Sequence, residues 1–101
     1  MKVIISGDCD SSTPALMRRA VRAANYHVTE VVACRDGAPR PVVEFAATIG
    51  VPVRLLDRQE ATHYAQALVA VWDGKSTTTK KLIDAARGNM LLVHVYRAEE
   101  T

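Results

Sequence analysis

Short apolar runs alternate with amphipathic stretches along the whole chain. Val3-Ile4-Ile5-Ser6 is an apolar run ended by Gly7 and predicts a buried strand. Thr13-Pro14 follows as an N-cap and a proline at the first helical position. Leu16, Ala20 and Ala23 then form one row, and Met17, Val21 and Ala24 the next. Arg18, Arg19 and Arg22 point elsewhere, so residues 14 to 25 predict an amphipathic helix. Val28 to Cys34 is rich in β-branched residues and closes with the turn Arg35-Asp36-Gly37. Pro41 opens a second helix with Val42, Phe45, Ala46 and Ile49 on one face, ended by Gly50 and Pro52. Val53 to Leu56 is a third strand, and residues 59 to 66 a short helix with Tyr64 and Ala65 facing inward. Ala67 to Trp72 is the strongest strand pattern. A long helix runs from Thr78 to Arg87, with Leu82, Ile83 and Ala86 inward and Gly88 as its C-cap. Leu91 to Tyr96 is the last strand.

Strands alternating with helices imply a parallel sheet covered on both faces. The reading is therefore α/β: a three-layer Rossmann-like sandwich whose five-stranded parallel sheet has the order 3-2-1-4-5. Fifteen alanines and thirteen valines against five aromatics agree with it, because small side chains let helices lie close on a narrow sheet. At 101 residues the chain is one domain, residues 1–101, with one modest core. Any ligand site is then a shallow crevice built from loops. Thirteen basic and eleven acidic residues leave a net charge of +2 with no basic block, so bulk charge gives no nucleic-acid signal. No apolar run approaches the ~18 residues of a membrane span, and the start is too short for a signal-peptide core. A cytoplasmic location is the expectation. Cys9 and Cys34 match no metal spacing and read as free thiols at strand ends.

Open α/β sheets bind ligands beyond the carboxyl ends of the strands, where the strand order reverses. In the order 3-2-1-4-5 that point lies between the loops after strands one and four. The first loop carries Gly7, Asp8 and Asp10. The second carries Asp73, Gly74, Lys75, Ser76, Thr77, Thr78 and Thr79. Gly74 permits a tight backbone path, and the helix start that follows offers unpaired N–H groups and a partial positive charge. With the hydroxyls of residues 76 to 79 and the charges of Lys75 and Lys80, this loop suits a phosphate or carboxylate. The bland reading is that the hydroxyls cap the helix and the lysines are solvated. Asp8 and Asp10 suit ribose hydroxyls or a hydrated magnesium ion, or serve as turn residues.

Several chemistries are excluded or weak. Gly74-Lys75-Ser76 copies the end of a phosphate-binding G-x-x-x-x-G-K-S/T loop, but Val69 stands where the first glycine belongs. Cys9 and Ser12 break the G-x-G-x-x-G pattern of dinucleotide dehydrogenases. His27, His63 and His94 share no evident face, and there is no G-x-S-x-G elbow. Trp72, beside the second loop, either stacks on a base or packs in the core.

The run Ala67 to Ser76, followed by Thr79-Lys80, resembles the small YspA-like proteins (the DUF2493 group) of the SLOG superfamily, whose Rossmann-like folds include the DprA and LOG proteins. The specific stretch is Trp72-Asp73-Gly74-Lys75-Ser76; Met1 to Gly7 and Gly50 to Val53 fit the same template. The resemblance implies binding of a nucleotide or nucleotide-derived ligand at Gly74 to Thr79. This chain departs from the family pattern at Thr78, which replaces a glycine, and at Pro39, which replaces an aspartate. The first loop reads Gly7-Asp8-Cys9-Asp10 rather than G-S-R-D. Where LOG-type phosphoribohydrolases carry a catalytic glutamate, this chain has Lys80, Lys81 and Leu82.

The leading expectation is a small nucleotide-derivative-binding module, with no cofactor, metal or catalytic residue assigned. The alternative is a ligand-free interaction protein that self-associates as a homodimer. The third is a hydrolase of nucleoside or nucleotide glycosidic bonds, with Asp8 or Asp10 as its only plausible nucleophile or base.

Overall fold

The computed structural model describes residues 1–6, 13–35, 39–72 and 74–97. Its elements alternate as the hydrophobic pattern predicts: β1 (Lys2–Ser6), α1 (Pro14–Ala24), β2 (Glu30–Cys34), α2 (Pro39–Ile49), β3 (Val53–Leu56), α3 (Arg58–Tyr64), β4 (Ala67–Trp72), α4 (Thr77–Gly88) and β5 (Leu92–Arg97). The five strands form one sheet in the order β3-β2-β1-β4-β5, and every pair is parallel. The fold is therefore the three-layer Rossmann-like α/β sandwich expected.

Because successive side chains of a strand point to opposite faces, each central strand feeds two cores. Val3 and Ile5 of β1 pack with Leu16, Met17 and Ala20 of α1 and Val42, Phe45 and Ala46 of α2. Ile4, on the other face, packs with Ala61 of α3 and Leu82, Ile83 and Ala86 of α4. β4 lies between β1 and β5, and its residues Ala67 to Val71 are wholly buried. That explains why it has the most continuous apolar run of the chain. The edge strand β3 is different: Val53 and Leu55 remain 38% and 43% exposed.

Local chemistry sets the helix ends. Thr13 Oγ1 accepts the Leu16 amide at 3.2 Å ahead of Pro14, and Asn25 ends α1 in the left-handed region at φ 60°. α3 is fixed by a capping box in which Asp57 accepts the Glu60 amide at 2.8 Å. Two boundaries differ from expectation. α2 opens at Pro39, not Pro41, because a proline is tolerated throughout a first turn whose amides have no helical partner. α4 runs through Gly88 and is capped by Asn89, whose Nδ2 donates to the Ala85 carbonyl at 2.9 Å; the left-handed turn falls on Met90 at φ 63°. The remaining limits shift by one or two residues.

At the amino end of the sheet, Glu30 anchors a polar cluster. The Tyr64 hydroxyl lies 2.8 and 2.6 Å from its two carboxylate oxygens, and Arg54 Nε donates to it at 3.3 Å. Lys2 and Arg54 lie over the Tyr64 ring, 4.3 and 5.0 Å from its centroid. Among the described residues, no helix is long and apolar enough to cross a membrane.

Candidate functional site

The order β3-β2-β1-β4-β5 makes β1 and β4 neighbours, with Ser6 at the end of β1 opposite Ala70. The β4–α4 connection thus leaves the carboxyl edge at the point where the strand order reverses. Gly7, Asp8, Asp10 and Asp73, with Cys9, lie outside the described residues, so the visible half of the candidate site is Gly74 to Thr79.

Gly74 has φ +82°, a left-handed conformation that favours glycine, and it turns the chain from the strand toward the helix. Ser76 is the N-cap of α4, its Oγ accepting the Thr79 amide at 3.4 Å. Its carbonyl accepts both the Trp72 indole N–H at 3.0 Å and the Lys80 amide at 3.2 Å. The loop is thereby laced to its own strand and helix. Thr77 and Thr78 open α4, so their amides have no partner one helical turn back and point out of the helix start. Gly74, Lys75 and Thr77 are exposed, and Ser76 and Thr78 half-buried. Thr79 is wholly buried, in the inward row with Leu82, Ile83 and Ala86.

Trp72 packs its ring against the α3–α4 core while committing its N–H to Ser76, as a core-packing role requires. The sequence reading missed Arg97. It ends β5 directly opposite Trp72 in the ladder. Its guanidinium lies 5.8 Å from the centroid of the Trp72 ring and covers Gly74, with Cζ 3.1 Å from where a Cβ would stand. The signal was available in part: in the order 3-2-1-4-5, the polar residue that closes the last strand must flank the end of strand four. Arg97 adds a second cation to the edge that bears Lys75.

The described residues contain no cluster of three His, Cys, Asp or Glu side chains. His27, His63 and His94 belong to the α1–β2 loop, α3 and β5 respectively. Cys34 is buried at the end of β2. A concavity of about 500 Å³ is lined by Arg54, Leu56 and Asp57 with residues of α3.

No family model matches the chain, and no curated protein or solved structure matches it.

Proposed function

We propose that the chain is a small binding module for a phosphate-bearing nucleotide derivative, held where β4 hands over to α4. The observation that carries this reading is the adjacency of β1 and β4, whose carboxyl ends flank the ligand-binding position of open α/β sheets. The left-handed Gly74, the outward amides of Thr77 and Thr78, and the cations Lys75 and Arg97 suit an anion. Thr79 contributes through the helix start rather than by side-chain contact, since its side chain is buried. Gly7, Asp8, Asp10 and Asp73 complete the proposed site, with Asp10 near the sugar. The resemblance of Trp72 to Ser76 to YspA-like SLOG proteins supports the same reading, as a reduced member working in the cytoplasm.

A thermal-shift screen of nucleotides tests it. At a ligand concentration 100 times Kd, stabilisation of about 2.7 kcal/mol is expected, and Lys75→Ala should diminish it. No shift with any nucleotide, or an undiminished one in the variant, would count against the proposal. A second reading, self-association, is favoured by one observation: β3 is an edge strand whose Val53 and Leu55 are exposed, beside Val43 of α2 at 42% exposure.

A further inference from the structure

Three arginines of α1 lie outside its apolar rows. Arg18, Arg19 and Arg22 are all exposed, and α1 contains no acidic residue from end to end. With Pro14 and Ala15 of α1 and Thr48 of α2 they line a groove of about 420 Å³ between the two helices. Positions 15, 18, 19 and 22 are spaced three and four apart, so they form one face of α1, and the small Ala15 leaves room beside the guanidiniums. None of the three arginines takes part in an ion pair among the described residues. Three like charges on two helical turns oppose one another.

The lining is rich in donors and poor in alternatives. The Thr48 hydroxyl already donates to the Phe45 carbonyl at 2.7 Å, so the arginines are the side-chain donors the groove presents. Guanidinium forks match phosphate oxygens two bonds at a time. At a rise of about 1.5 Å per residue, Arg18 and Arg22 stand about 6 Å apart along the axis, with Arg19 between them. A lone phosphate engages one or two of them; a short chain of linked phosphates engages all three. The groove is small, at about 420 Å³, and the chain as a whole carries only +2, which disfavours an extended nucleic-acid track.

We propose that the α1–α2 groove is a second anion site, separate from the β4–α4 loop, that takes a compact oligophosphate ion through Arg18, Arg19 and Arg22. Calorimetric titration of the full chain with inorganic tripolyphosphate, pyrophosphate and orthophosphate at low ionic strength tests it. One saturable tripolyphosphate site sensitive to the arginines is expected, at least about tenfold tighter than orthophosphate, because the longer ion engages more charge-assisted bonds. Arg18→Ala with Arg22→Ala should weaken it by about tenfold or more, and Arg18→Lys with Arg22→Lys by less, since lysine keeps charge but loses the fork. Lys81→Ala with Arg87→Ala removes the same charge from α4 and should leave it within about twofold. The glutamine pair at 18 and 22 replaces the alanine pair should the latter fail to fold. Undiminished tripolyphosphate binding in the folded arginine variants overturns the proposal. So does an equal loss in the α4 control, absence of saturable binding, or a single-stranded oligonucleotide that displaces tripolyphosphate at lower concentration.

Discussion

Gly74 and Tyr64 show how single residues carry opposite ends of this sheet. At Gly74 an added Cβ would meet the Arg97 guanidinium, but that is the far end of a flexible side chain, which can shift. The cost of Gly74→Ala is therefore mainly the left-handed backbone, about 1–2 kcal/mol. Denaturant midpoints of the variant and the parent would measure it, and equal midpoints would refute the assignment of strain. Glu30 is held below the ordinary carboxyl value of 4.5, first by the Tyr64 hydroxyl and then by Arg54 and Lys2, against some opposition from desolvation. A carboxylate whose folded value is depressed adds stability above its ordinary value, and loses that contribution as pH falls through the lower, folded one. Tyr64→Phe removes the leading cause. The stability gap between parent and variant should be open near about pH 7 and narrow toward about pH 3, as read by urea unfolding at both. A gap that widens on acidification would contradict the role given to the hydroxyl.

The helix starts and stops are where single elements depart from their sequence signals. Pro39 and Pro41 are equally good openings for α2, because either ring occupies a turn whose amides lack partners. The pattern cannot choose between them; packing of Val42 and Phe45 against the sheet sets the helix position instead. Gly88 drew the C-cap assignment because glycine is the commonest left-handed residue. The turn fell two residues later, on the fully solvated Met90, since Asn89 could satisfy a terminal carbonyl with its own side chain. At the start of α4 the cap falls on Ser76, one of four successive hydroxyl residues that could have served. Ser76→Ala removes the acceptor for the Thr79 amide and should lower stability by about 0.5–1 kcal/mol without ligand, given the long 3.4 Å bond. No loss in a melting experiment would mean that the hydroxyl does not cap.

For the molecule as a whole, the sheet order was legible because five apolar runs separated by four amphipathic ones leave few parallel arrangements. On the β4 side Gly74 announced the turn, but four hydroxyl residues in a row, 76 to 79, left the capping residue open until the helix start was placed at Thr77. Arg97 was not legible, since its place beside Trp72 depends on a ladder between strands twenty-five residues apart, which no local pattern encodes. The exposed edge at β3 likewise emerges only once the strands are ordered. If that edge pairs two copies, light scattering should show a dimer in the parent and a monomer after Leu55→Lys, which sets a charge on the apolar strand. A parent that stays monomeric at high concentration would remove self-association from consideration. The chain also carries its own optical reporter. Trp72 is its only tryptophan, with the indole N–H tied to Ser76 and a guanidinium near its ring. Any ion or partner that rearranges Arg97 or the Gly74 turn changes the field around that one fluorophore, so its emission can be followed without a label.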